Sequence, residues 1–176
     1  MPVKAVKTKP PAPAKAATAV TASWKKGRGK LGPLAPLLGS WKAEADSPMG
    51  RIKCFRTFTS VLGGNYVELN ARWEMPGGRV YEEAAIYGAG GAGQKGTLRF
   101  WSFTSDGKRS EGELADVADV HPEGVGFVAE MPAGQARMIY WPSPGGFSWA
   151  VEARTKKGWS RFTEHHYVPV PSPFRI

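Results

Sequence analysis

Cysteine is nearly missing from this chain: Cys54 is the one thiol in 176 residues. A lone cysteine excludes an internal disulfide framework and any multi-cysteine zinc or iron–sulfur centre. Long apolar runs are missing as well. Nothing approaches the roughly 18 consecutive apolar residues that cross a bilayer as a helix, so no transmembrane helix is expected. Acidic side chains are absent from the start of the chain, the first being Glu44. No long stretch carries the three-to-four spacing of an amphipathic helix, which argues against an α/β layout. No Ser-His-Asp constellation and no carboxylate pair can be singled out. Glu82 and Glu83 are adjacent, so a strand would point them to opposite faces. A non-enzymatic protein is therefore the expectation. The lone thiol and the lack of a secretory apolar core after the first lysines suit a reducing, cytoplasmic setting.

Charge is present but uneven. The formal net charge is +9, yet residues 31–176 carry 16 basic against 15 acidic side chains. The excess sits in the first thirty positions, which are rich in Lys, Pro and Ala. Such a segment cannot bury enough apolar surface to offset its ordering entropy, so residues 1–32 are expected to be a disordered arm. The densest cluster is KKGRGK, with Lys25, Lys26, Arg28 and Lys30 as candidate contacts to a polyanion or an assembly partner. Trp24 beside it is a candidate stacking group. A solvated linker is the plain alternative for this arm.

Glycine and proline are abundant, at 22 and 15 residues. They punctuate short period-two segments: Ser40–Ala45, Arg51–Val61, Asn65–Glu74, Arg79–Tyr87, Thr97–Thr104, Arg109–Val117, Gly126–Glu130, Gln135–Trp141, Phe147–Arg154 and Trp159–Val168. Turns such as MPGG, SDGK, MPAG and PSPGG separate them. Connections this short favour antiparallel neighbours. About ten such strands must hide their edges, and closure into a barrel does so. The expected fold is thus all-β, an antiparallel up-and-down β-barrel over residues 33–170, followed by a tail at 171–176. A sandwich is the alternative.

GSWKAEA at 39–45, after the apolar PLAPLL, resembles the Gly-x-Trp opening of lipocalin-like and fatty-acid-binding-like (calycin) barrels. Gly39 and Trp41 are the matching positions, and the resemblance implies that Trp41 plugs the closed end. LGGNYVELNARWE, VYEEAAIYG and FWSFTSDG follow in an order similar to a bacterial lipocalin-like family of unknown function. More distantly, nitrobindin-type haem proteins share the ten-stranded barrel and bind iron through a His near the C-terminus. By that resemblance His165 or His166 would be the haem ligand. No other cofactor or metal is expected.

A barrel this wide has room for a ligand. The expected occupant is a small apolar or amphipathic molecule. Trp73, Tyr87, Trp101, Tyr140 and Trp149 are candidates to line the cavity, against the plainer reading that aromatics fill a core. Arg72 and Arg99, with Arg137 and Arg154, are candidates to fork onto a carboxylate head group. His165 is a candidate at the same site. In the last strand Trp159, Arg161, Thr163, His165 and Tyr167 are expected to share one face. Cys54 is expected to be a buried structural thiol. GAGGAGQKG at 88–96 lacks the Lys-Ser/Thr ending of a phosphate loop and reads as a hairpin loop. An accessory subunit docking through its basic arm is the alternative function.

Overall fold

The computed structural model describes residues 24–90 and 96–170. Residues 1–23 of the arm expected over 1–32, part of the glycine loop and the tail at 171–176 lie outside the described residues. The ten strands are β1 (Gly39–Ser47), β2 (Gly50–Val61), β3 (Tyr66–Glu74), β4 (Val80–Ala89), β5 (Leu98–Thr104), β6 (Arg109–Ala115), β7 (Val125–Met131), β8 (Gly134–Ser143), β9 (Gly146–Thr155) and β10 (Gly158–Pro169). Each pairs antiparallel with the next, and β1 pairs with β10, so the sheet is a closed meander. The closing seam is short: Trp41 lies opposite Pro169 and Lys42 opposite Val168, and Val170 N–H donates to Ser40 C=O at 2.8 Å. Among the described residues no helix is long and apolar enough to cross a membrane.

Strand pairing fixes which residues face inward, because directly opposed residues share a face. One row runs Val125, Tyr140, Trp149, His165 across β7 to β10. Another runs Cys54, Trp73, Tyr81 across β2 to β4. In β10 the register shifts between Arg161 and Thr163. This bulge inserts Phe162 and reverses the alternation. Trp159 and Arg161, opposite Arg154 and Glu152, therefore face outward, whereas Thr163, His165 and Tyr167 face inward. The single face expected for these five residues is thus split in two.

One end of the barrel is covered by a 3-10 helix, Gly32–Leu37. Its two prolines preset φ, and each lacks the N–H that a longer helix would need. Leu34 and Leu37 are fully buried beneath it. Trp41 reaches up from β1 and donates its Nε1–H to Leu37 C=O at 2.6 Å, and its ring meets Phe147 edge-on at 4.8 Å. Gly39, at φ +118°, turns the chain from this cover into β1, a conformation costly to a side chain with a Cβ.

The cover extends further back than the sequence pattern suggests. Trp24 packs on Phe147 and donates its Nε1–H to Glu123 C=O at 3.1 Å. Lys26 Nζ donates to Gly124 C=O at 3.2 Å, and Gly27 N–H to Gly32 C=O at 2.8 Å. Residues 24–32, expected to belong to the arm, are therefore part of the barrel's cover. The indole of Trp24 is committed to the barrel and is not a free stacking group.

Candidate ligand-binding site

The barrel interior has two unlike halves. Next to the cover, Phe58, Tyr87, Phe100, Phe127, Tyr140, Phe147 and Tyr167 are all buried. They meet largely edge-to-face, as with Tyr87 on Phe127 at 5.2 Å and Phe58 on Tyr140 at 5.8 Å. This half is solid core. At the other end a cup of about 520 Å³ opens to solvent. Ile52, Tyr81, Met131, Val151 and Thr163 form its walls, and Trp73, Trp149 and His165 lie at its base. The volume falls in the roughly 300–1,000 Å³ span of small-molecule pockets.

Beneath that base lies Arg56, fully buried on β2. Its Cζ sits 4.0 Å from the centre of the Trp149 ring and 5.2 Å from that of Trp73. Cation–π contact of this kind is worth about 2 kcal/mol when water is excluded. Its Nε–H donates to Tyr167 Oη at 3.0 Å and one Nη1–H to Tyr140 Oη at 3.1 Å. Both partners are neutral hydroxyls, and no carboxylate among the described residues forms an ion pair with it. Burial works against its charge, but Tyr167, Tyr140 and the cup's carboxylate, Glu83, outweigh burial and hold its pKa above the usual guanidinium range. A guanidinium does not lose its proton in a protein in any case.

Three buried polar atoms gathered here lack a partner: Arg56 Nη2, Trp149 Nε1 and His165 Nδ1. The His165 ring stacks on Trp149, 5.7 Å between centres and 12° from parallel. A buried polar atom left unpaired costs about 1–3 kcal/mol, so three together mark this as the least satisfied part of the interior. Burial, and then the charge of Arg56, lower the pKa of His165 and keep its ring neutral at pH 7. Burial pushes the Tyr167 hydroxyl up to about 12 and the Cys54 thiol up to about 11. Cys54 is fully buried and holds its proton, without thiolate reactivity.

The structure sorts the candidates read from the sequence. Trp73, Trp149 and His165 stand at the cup. Tyr140 and Tyr87 face inward too, but deeper, in the packed half. Trp101, opposite Ile86 and Glu111, is on the outer wall. Arg72 and Arg99 are outside as well, paired to Glu82 at 2.9 Å and to Glu113 at 3.1 Å. Arg137 lies flat on the outer wall, gripped by Glu152 at 2.6 Å and Asp119 at 2.7 Å. Arg154 lies over the Trp159 ring, also outside. None of these four arginines can reach a molecule in the barrel, because pleat parity points their neighbours inward instead. His166 faces outward, its Nδ1 2.8 Å from Ser143 Oγ, so of the two histidines only His165 adjoins the cup. Lys25, Lys26, Arg28 and Lys30 are exposed at the covered end.

Arg56, beneath the cup, and Lys108 and Arg109, on its lining, are charged groups not among the candidates read from the sequence. For Arg56 the signal was present: Ile52, Cys54, Arg56 and Phe58 alternate as one apolar set broken by a single charge. Among the described residues no group of three or more His, Cys, Asp or Glu is placed to hold a metal ion.

No family model matches the chain, and no curated protein matches it. A solved structure described as "De novo design of a fluorescence-activating beta barrel" is similar at 20% identity and a TM-score of 0.36, over 57% of this chain and 86% of that one.

Proposed function

We propose that the barrel is a non-enzymatic binding module whose cup holds an amphipathic small molecule, apolar along its body and anionic at the end seated on the base. The observation that carries this is the base of the cup, Trp73, Trp149 and His165, with the buried guanidinium of Arg56 directly beneath the Trp149 ring. An oxyanion there lies within the field of Arg56, screened from it by little more than the Trp149 ring. The lipocalin-like resemblance of GSWKAEA supports the same reading. Titration with dodecanoate and dodecanol, followed by the fluorescence of the base tryptophans, tests it. Dodecanoate should bind at least about tenfold tighter, the worth of one charge-assisted hydrogen bond. Equal affinities, or no binding of either, would sink the proposal. Glu83→Gln should tighten dodecanoate, because it removes the carboxylate that shares the cup.

A second reading rests on the covered end. Lys25, Lys26, Arg28 and Lys30 are exposed there and form no ion pair with any described residue, and the sequence outside the described residues contains no Asp or Glu. We propose that this cluster contacts a polyanion. Binding of single-stranded RNA should fall with salt, the slope of log K against log salt steepening by about 0.7 per phosphate contact. The setting we propose is the cytoplasm, where Cys54 stays reduced. Haem would have to use His165, and an imidazole beside a buried guanidinium suits an anion better than iron. A Soret band that appears with haemin and is lost in His165→Ala would reverse that judgement.

A further inference from the structure

Besides the short β1–β10 seam, which pairs only at Trp41–Pro169 and Lys42–Val168, the wall of the cup is incomplete at a second place. β6 and β7 pair only over Gly112–Ala115 and Gly126–Ala129. Toward the rim each strand continues, but with its other neighbour. Ser110 and Glu111 stay paired to Ser102 and Trp101 of β5, while Glu130 and Met131 stay paired to Gln135 and Gly134 of β8. Continued pairing would set Glu111 directly against Glu130 on the outer face, and like charges opposed across a sheet are unfavourable. Glu130 instead accepts from Gln135 Nε2 at 2.6 Å. A notch results. A groove of about 330 Å³ on the outer wall borders it, and Ser102, Arg109 and Ser110 line both groove and cup. Ser102 and Ser110 face each other across β5 and β6, Oγ to Oγ at 3.3 Å, and so form the β5–β6 flank of the notch. On the outer side lie Trp101, half-buried, and Phe103, 59% exposed.

We infer that the cup continues sideways through this notch, and that its ligand is an anionic amphiphile whose apolar tail outruns the cup and lies on Trp101 and Phe103. The inference rests on the reading of the cup given above. Its ground is continuity: the same three residues line the inner and outer cavities, and the outer one ends on exposed aromatic surface.

Octanoate and octadecanoate separate the two ideas. In the unaltered protein octadecanoate should bind tighter than octanoate. Phe103→Asp, on the exposed outer wall, should weaken octadecanoate by about tenfold, what re-exposing roughly two methylenes costs. It should leave octanoate unchanged. Glu111→Thr with Glu130→Thr lets the strands zip together; it should have the same effect and protect the amides of both positions from hydrogen exchange. If both variants bind octadecanoate as the parent does, the sideways path is wrong and the cup stands. If the parent holds both acids equally, the path is likewise wrong. If octanoate fails to bind the parent at all, the reading of the cup fails, and the path with it.

Discussion

The covered half and the open half of the barrel are built by the same strands with the same pleat, yet one is solid and the other hollow. The fit of the side chains makes the difference. Toward the cover Phe58, Tyr87, Phe127, Phe147 and Tyr167 pack ring against ring; toward the rim large residues such as Trp73, Tyr81 and Trp149 alternate with small ones, Ser102, Thr104, Ser110 and Thr163, and space is left between them. The polar groups divide the same way. Tyr87, Tyr140, Arg56 and Tyr167 satisfy one another in a chain of contacts at 3.4, 3.1 and 3.0 Å. The orphan atoms begin where that chain meets the cup. Stability is thus concentrated in one half, which frees the other from the need to fill itself.

The largest effect should separate the halves outright. Phe147→Ala should lose about 3–5 kcal/mol in urea denaturation, since it opens a void among Trp41, Tyr140 and Tyr167. Val151→Ala, on the cup wall, should lose no more than about 1 kcal/mol. Equal losses would erase the distinction. Next comes the boundary. Arg56→Met should cost about 1–3 kcal/mol, because two tyrosine hydroxyls lose their N–H donors. Part of that is offset by removing a buried charge. The same variant should lose the preference for dodecanoate over dodecanol, a readout that a merely structural arginine would not move.

A smaller effect should follow pH. His165 has a lowered pKa in the folded protein, so the unfolded chain binds its proton first. Stability should fall as pH drops below the ordinary value of 6.5 toward the lowered one, and His165→Phe should flatten that decline. Calorimetric melting across that range checks it. The smallest effect belongs to the exposed cluster. Replacing Lys25, Lys26, Arg28 and Lys30 by Gln should change stability by about 0.5 kcal/mol or less, while weakening any contact with RNA.

All ten strands were legible from alternation and turn residues, because half-buried antiparallel strands are the case in which period two is clearest. Arg51–Val61 was expected and Gly50–Val61 is found; Gly126–Glu130 was expected and Val125–Met131 is found. The bulge at Phe162 was not legible. One inserted residue leaves the alternation intact on either side and changes only its phase, so Trp159 and Arg161 were grouped on one face with Thr163, His165 and Tyr167. The arginines failed for a related reason. The bidentate fork is common to every arginine and does not say which face one occupies, whereas Arg56 has Cys54 and Phe58, both buried, at two-residue spacing. The docking of Trp24 depends on the C=O of Glu123, far along the chain, and local composition carries no trace of it.

The seam also has a practical side. β1 leaves the covered end and β10 returns to it, where Trp41 meets Pro169. Cargo fused ahead of Trp24 or after Val170 would hang from the blind pole on both sides. A fluorescent tag or an immobilising tether placed at either position should therefore leave the rim unobstructed, and a surface-bound sample would present every mouth to the flowing solution.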